Sequence, residues 1–379
     1  MRNRNVVVMR VCLLTAFHAS WTKQEVSILR ELGHVVHLLY PGEYISERVY
    51  NIPVVGSICA HAKLFLMNMR VLLSSDLIYC WFVFPSGVFA MIFGKLFRKP
   101  VILTAIGSDV ALVPSIQYGA PSKSYYRSLI SWALNNATMV MAISRDVAFW
   151  AERWGGRDIN VVYEGIDTQK FRPLEIDESE EDHVLLTVSV LDELNVKRKD
   201  FESLLFSFPQ VLSAFPSAKL VIVGRKGEGY RILRHTVRKL KIENNVIFKG
   251  SVSDCELIEL HNKCDIFVLP SLHEGFPTVC AEAQACGKAV ISTDVSSIPE
   301  VIVDHETGLL VRPRDPRALA AAINTLLSNS VLRKKMGEAG RKRVIGLFSK
   351  IVRKKKIHEA LARVRKQSSF PRRQERISE

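Results

Sequence analysis

The sequence predicts an α/β protein of two consecutive units, each built on a doubly wound parallel sheet. Three observations lead there. Short apolar runs alternate with helix-patterned segments along almost the whole chain, as expected of parallel strands joined by crossover helices. The alternation breaks once, where Phe171-Arg172-Pro173 precedes six acids within residues 175–182, a composition suited to a linker. The length of 379 residues exceeds one typical domain and is enough for two buried cores. The expected division is residues 1–173, an acidic linker at 174–183, residues 184–330, and a basic helical segment with a tail at 331–379.

The first unit opens on an apolar run ending at Thr15, then a loop and a helix over about residues 21–32, where Thr22 and Glu25 have capping-box spacing. Gly33 closes that helix and residues 34–40 make the next strand. Residues 77–94 are 18 positions without a charge, the lower limit for a membrane span. Pro85-Ser86-Gly87 divides them, however, into a buried strand (77–84) and a helix (88–97). Next come a strand at 101–104, the loop Gly107-Ser108-Asp109, a helix through 125–135, a strand at 139–143, a helix after Ser144 reaching Trp154, and a strand at 159–163.

Beyond the acidic segment the second unit alternates strand 184–191, a helix from Phe201, strand 219–223, helix 230–240, strand 246–249, helix 256–263 and strand 265–269. Residues 273–287, His-Glu-Gly-Phe-Pro-Thr-Val-Cys-Ala-Glu-Ala-Gln-Ala-Cys-Gly, are the stretch around which the unit is organised. A loop holds Glu274, Gly275 and Pro277, and residues 278–286 form a helix closed by Gly287. A glycine loop lets backbone approach a ligand, and a helix entry offers unpaired N–H groups and partial positive charge to a phosphate. Thr278 and Glu282, four apart, share a helix face. Carboxylates for hydroxyls with amides for phosphate suit a sugar nucleotide; two acids about a helix start also suit a cap and a surface charge. Strands at 289–292 and 309–311 come next, with Ile298-Pro299-Glu300 between them, and then a helix at 316–327 with Pro316 in its first turn.

The net charge is +14, but residues 331–379 hold 17 Lys and Arg against 4 Asp and Glu, so the other 330 residues are nearly balanced. Nucleic acid is not an expected partner. The basic segment suits an anionic membrane surface, or else a solvated helix face. Seven cysteines without a C-x-x-C pair point to reduced core residues and no zinc site. Residues 1–17 lack the cleavage site of a secretory signal, so a cytoplasmic protein is expected. The segment from Gly224 to Gly229 lacks the Gly-Lys-Ser/Thr end of a Walker loop.

His-Glu-Gly-Phe-Pro-Thr-Val-Cys-Ala-Glu resembles the Glu-x7-Glu signature of family 4 of the retaining glycosyltransferases. Phe267-Val268-Leu269-Pro270-Ser271, Gly287-Lys288-Ala289-Val290-Ile291, Ile298-Pro299-Glu300 and Thr307-Gly308-Leu309-Leu310-Val311 surround it. Upstream, Val221-Ile222-Val223-Gly224, Phe248-Lys249-Gly250 and Glu164-Gly165-Ile166-Asp167 extend the likeness, which covers about residues 10–330. The resemblance implies the GT-B fold, two facing Rossmann-like domains with an interdomain cleft, and transfer of a sugar from a UDP- or GDP-sugar to a lipid-linked or saccharide acceptor.

Residue by residue, it implies that Glu274 contacts the transferred sugar, with Gly275 and Phe276 nearby. Thr278 and Val279 offer amides to the diphosphate, Glu282 holds the ribose, and Gly224 lies in a loop near the base. Lys199 matches the family's lysine that neutralises the leaving diphosphate. The companion arginine is replaced, since Ser189-Val190 stand where Gly-Arg is usual, leaving Arg198 or Lys197 to compensate. The first-loop glycine pair is replaced by Phe17-His18-Ala19-Ser20, the histidine before Gly107-Ser108-Asp109 by Ile106, and the usual asparagine by Glu164. His18, Gly107 and Asp109 are therefore acceptor-side candidates on weaker grounds. No metal and no bound cofactor are implied. The alternatives are a non-catalytic GT-B scaffold subunit and, less favoured because no G-x-G-x-x-G follows the first strand, a dinucleotide oxidoreductase.

Overall fold

The computed structural model describes residues 8–15, 20–40, 55–175 and 183–367. They fall into two compact units, one of Met1–Val162 with Arg353–Glu379 and the other of Tyr163–Val352.

In the first unit six parallel strands take the order β2-β1-β3-β4-β5-β6. They are β1 (Arg10–Leu14), β2 (Val35–Leu39), β3 (Leu77–Trp81), β4 (Val101–Ala105), β5 (Met139–Ala142) and β6 (Asn160–Val161). Crossover segments carry α1 (Ser20–Glu31), α2 (Val55–Met67), α3 (Met69–Ser74), α4 (Val88–Leu96), α5 (Ser124–Asn136) and α6 (Arg145–Arg153). Strands β3 and β4 are buried at every position, which is why they read as unbroken apolar runs. On one face of the sheet Val11, Leu13, Tyr79 and Ile102 pack with Ile28 and Leu29 of α1.

The second unit repeats the plan in the order β12-β11-β10-β7-β8-β9. Its strands are β7 (Val184–Val188), β8 (Lys219–Val223), β9 (Val246–Gly250), β10 (Ile266–Leu269), β11 (Ala289–Thr293) and β12 (Gly308–Val311). The helices are α7 (Glu193–Arg198), α8 (Phe201–Ala214), α9 (Glu228–Lys239), α10 (Asp254–Lys263), α11 (Thr278–Ala285), α12 (Ile298–Val301), α13 (Pro316–Leu327) and α14 (Ser330–Leu347), and α15 (Lys350–Gln367) returns to the first unit. Phe201, Leu204 and Phe208 of α8 and Leu319, Ile323 and Leu326 of α13 cover Leu220, Ile222, Ile266 and Val268. The strand order reverses between β7 and β10, so ligand-binding segments are expected just beyond the carboxyl ends of those two strands.

The structure corrects several expectations. The first division falls at Val162 rather than residue 173, because the following segment packs on the second unit. Ile166 bridges to Ser349, Phe171 lies edge-on to His261, and the Leu174 amide donates to Asn262 Oδ1. The basic helical segment expected within residues 331–379 is divided between the units: α14 belongs to the second, whereas Ile357, Ala360, Leu361 and Val364 of α15 enter the first core. Most of the expected linker, residues 176–182, and the last twelve residues lie outside the described residues. The capping box fails because Thr22 is buried within α1 and Glu25 turns inward, accepting from Tyr79 Oη and pairing with Arg353 Nε at 2.9 Å. Strand β3 stops at Trp81, since Phe82 takes a left-handed φ of 78°. Two cysteines, Cys59 and Cys255, are exposed; the other five are buried and all seven are free thiols. Among the described residues no helix is long and apolar enough to cross a membrane.

Candidate active site

The segments after β7 and β10 meet at one carboxylate. After β7 the chain forms α7, whose first-turn amide, from Asn195, is capped by Asp192 Oδ1 at 2.8 Å. The helix delivers Arg198 and Lys199 at its end, and Asp200, with a left-handed φ of 46°, turns the chain into α8 and caps it. After β10 the loop brings in Glu274, only 6% exposed. Arg198 Nη1 lies 2.7 Å from Glu274 Oε2 and Lys199 Nζ 4.0 Å from Oε1, while Ser271 Oγ donates to Oε1 at 2.8 Å. Leu272 donates its amide to the Arg198 carbonyl at 2.7 Å, so the two segments are also joined through backbone.

Further bonds fix the loop. The Glu274 amide donates to Ser296 Oγ at 2.9 Å and Ser297 Oγ donates to the Glu274 carbonyl at 2.8 Å. Arg198 also donates to the His273 carbonyl and to Asn195 Oδ1, each at 2.9 Å. Phe276 is buried, edge-on to Phe348 at 5.5 Å and tilted against Tyr163 at 6.1 Å. Burial alone raises the Glu274 pKa, but Arg198 and Lys199, with hydrogen bonds from Arg198 and Ser271, outweigh it and hold the carboxyl below its ordinary range. Burial lowers the Lys199 pKa against the pull of Glu274. The His273 ring, buried and beside Arg198, is pushed down to about 4 and is neutral at pH 7.

Helix α11 begins where this loop ends. Cys280, Ala281, Ala283, Gln284 and Ala285 are buried, and the three positions that keep partial exposure are Thr278, Val279 and Glu282. Those three form a single stripe from the helix start. The Thr278 amide, expected to face the diphosphate, instead donates to the Phe276 carbonyl at 2.9 Å. The amides of Gly275, Phe276 and Val279 make no backbone hydrogen bond among the described residues, which leaves those three as donors at the positive end of the helix dipole. Thr278 Oγ1 donates to Glu164 Oε2 at 3.3 Å. Burial and then the nearby Glu164 raise the Glu282 pKa to about 8. Gly224, with φ of 143°, ends β8 against the Ser189 carbonyl; a Cβ there would stand 1.7 Å from that oxygen, so a side chain is excluded.

The chain matches two family models, "Glycosyltransferase Family 4" over residues 23–170 and "Glycosyl transferases group 1" over residues 170–343, the latter containing the whole cluster around Glu274. The chain belongs to the group 1 glycosyltransferases. Among its relatives, TuaC of Bacillus subtilis (strain 168), a glycosyltransferase provisionally assigned to teichuronic acid biosynthesis, is 31% identical over 70% of this chain and 64% of its own length. The capsular polysaccharide biosynthesis glycosyltransferase CapM of Staphylococcus aureus is 35% identical over 41% of this chain and 40% of its own. The chain thus spans less than two thirds of either relative. Sucrose-phosphate synthase from Thermosynechococcus elongatus superimposes with a TM-score of 0.78 at 20% identity, covering 95% of this chain and all of that one. Anabaena HepE, solved with UDP and glucose, does so at 0.75, also 20% identical, over 94% of this chain and all of its own. These likenesses establish the GT-B fold.

In this glycosyltransferase the structure brings Glu274, Lys199, Arg198 and Gly275 to the mouth of α11, with Thr278, Val279 and Glu282 on its partly exposed stripe. Lys197 points elsewhere, pairing with Glu193 at 2.7 Å on the exposed side of α7. Gly107 and Asp109 lie in the first unit. Both Asp109 oxygens are taken by backbone amides, Oδ2 by Val83 at 2.7 Å and Oδ1 by Ile106 and Gly107 at 3.0 Å each, so this carboxylate braces a loop. His18 lies outside the described residues. The serines at 271, 296 and 297 escaped sequence reasoning. Ser271 stands three residues before Glu274 and was readable from spacing, whereas Ser296 and Ser297 reach the loop only because β10 and β11 are neighbours.

Proposed function

We propose that this glycosyltransferase transfers a sugar, with retention of anomeric configuration, from a nucleoside-diphosphate sugar to an acceptor hydroxyl in cell-surface polysaccharide or glycolipid synthesis. The supporting observation is the buried Glu274–Arg198–Lys199 cluster at the entry of a helix whose partly exposed stripe is Thr278, Val279 and Glu282. Glu274 and the loop amides suit sugar hydroxyls and a diphosphate respectively. Negative charge develops on the diphosphate as the glycosidic bond breaks, and two cations beside the helix start oppose it. Arg198 supplies the guanidinium absent at Val190, so Arg198→Ala and Lys199→Ala should each lower kcat by about 10²-fold.

The acceptor is a saccharide or lipid-linked hydroxyl at the cytoplasmic face of a membrane. A panel of UDP- and GDP-sugars tests donor use by slow hydrolysis or transfer, and the anomer released, followed by NMR, tests retention. EDTA should leave the rate unchanged, since two side-chain cations take the place of a metal. A non-catalytic scaffold is favoured by two positions, Val190 and Ile106, and complete inertness toward the whole panel would establish it.

A further inference from the structure

Helices α2, α3, α4 and α5 contain no Asp or Glu at all. They are neighbours on one side of the first sheet. Phe65 of α2 stacks on Phe93 of α4 at 4.4 Å and on Phe97 at 5.7 Å, and His61 stacks on Phe89 at 4.2 Å. Lys95 of α4 donates to Asn136 of α5 at 2.6 Å and lies over the Trp132 ring. The inner sides of these helices are packed, yet their outer side exposes large apolar groups: Leu66 at 71%, Met67 at 64% and Leu96 at 63%, with Leu73 and Ile92 about half exposed. On the same helices and just after α4, Lys63, Arg70 and Arg98 are exposed and Lys99 partly so. In the span from 55 to 136 the only acids are Asp76 and Asp109, and each is bonded to backbone amides.

We propose that the outer side of α2, α3 and α4 is a lipid-docking face that seats the first unit on an anionic bilayer. Leucine, isoleucine and methionine side chains enter the acyl boundary, while the lysines and arginines lay their stems along it and keep their charged ends among phosphates. A second copy of the chain fits poorly, because a two-fold contact sets the same basic patch against itself, and the described residues of α2, α3 and α4 include no carboxylate to answer Lys63 and Arg70. Of the eight basic residues in 350–367, two are engaged with acids of α1 inside the first unit: Arg353 is buried against Glu25, and Lys354 pairs with Glu31 at 2.9 Å. The docking face supplies a location for the proposed membrane-surface transfer and rests on that reading for its setting alone. Nucleotide binding belongs to the other unit, so either idea can fail without the other.

The test is co-sedimentation of the full chain with vesicles of phosphatidylglycerol and phosphatidylcholine, or of phosphatidylcholine alone. Binding should require the anionic lipid. It should fall by at least about tenfold in Lys63→Glu/Arg70→Glu and again in Leu66→Ser/Leu96→Ser. All four side chains are exposed, so melting temperature and UDP binding should stay at the wild-type values. In the wild type, radical footprinting should find Met67 shielded by anionic vesicles, a readout independent of any substitution. The proposal is overturned if the protein ignores both vesicles, if both variants bind as the wild type does, or if only removal of residues 368–379 abolishes binding. It is also overturned if light scattering shows that the variants split a dimer, which would make the face a protein interface.

Discussion

At neutral pH the Glu282 carboxyl keeps its proton, since burial and the neighbouring Glu164 carry its pKa from an ordinary 4.5 to about 8. If Glu282 accepts from both ribose hydroxyls, one at each oxygen, it does so as the carboxylate and must first lose that proton. UDP binding is therefore expected to release a proton below pH 8, and its affinity to rise with pH and level off above about 8. Calorimetry in buffers of different ionisation enthalpy measures this, and Glu282→Gln should flatten the profile. The stability effect has the opposite sense: the folded-state pKa lies above the unfolded one, so this group's contribution is full below 4.5 and is lost as pH rises through about 8. Glu274 behaves the other way. Its folded pKa is depressed, so its contribution is present above the ordinary value and lost as pH falls through the folded one. Arg198→Met leaves a buried carboxylate with Lys199 at 4.0 Å as its remaining cation. It should lose roughly 3 kcal/mol in urea unfolding at pH 7, with the deficit shrinking in acid. Glu274 and Glu282 were legible as a pair eight apart before a glycine-closed helix. Their opposite ionisation was not, because it comes from burial in the folded unit and from Arg198 and Glu164, which lie far from them in sequence.

Helix α11 and its loop hold their shape through backbone approaches that tolerate no extra atoms. A Cβ on Gly337 of α14 would stand 1.9 Å from the carbonyl of Gly287, the residue that ends the turn after α11. Gly337→Ala should therefore push α14 off that turn and cost roughly 1–3 kcal/mol in thermal unfolding, together with weaker UDP binding. In the first unit Asp109→Ala leaves the amides of Val83, Ile106 and Gly107 without their acceptor and should destabilise by roughly 3 kcal/mol, while Asp109→Asn, which keeps one carbonyl oxygen, should cost less. Most strands and helices were legible from apolar runs and turn residues. Helix α7 was not, because six charged and polar-rich residues, Glu-Leu-Asn-Val-Lys-Arg, carry too short a pattern to register. It is nonetheless the element that delivers Arg198 and Lys199. Helices α2 and α3 went unread as well, since a run apolar on nearly all sides has no periodicity to reveal.

For the molecule as a whole, the chain end is part of the first core. Ile357, Ala360, Leu361 and Val364 are buried there, and Arg353, 3% exposed, pairs with Glu25, lies over the Trp81 ring at 5.1 Å and donates to the Val162 carbonyl. Ending the chain at Ser349 should remove roughly 5 kcal/mol or more of apolar burial from the first unit. It should expose the surface left behind and lower that unit's unfolding temperature selectively, seen by calorimetry as a separated early transition. Any lipid-binding experiment that deletes α15 entirely would therefore measure unfolding as well, which is why the shorter deletion of residues 368–379 is the useful one.

Local pattern was sufficient to determine two parallel-sheet units and to single out residues 273–287, because strand runs, turn residues and helix starts act over a few neighbouring positions. Tertiary structure decided what those residues are chemically. Strand order sets β7 beside β10 and β10 beside β11, and so gathers Arg198, Lys199, Ser296 and Ser297 around Glu274 from 22 or more positions away. Tertiary packing alone also assigned the basic C-terminal helix to the first core. A charge count does not record which of its faces is apolar, nor that Glu25, 328 positions earlier, waits for Arg353.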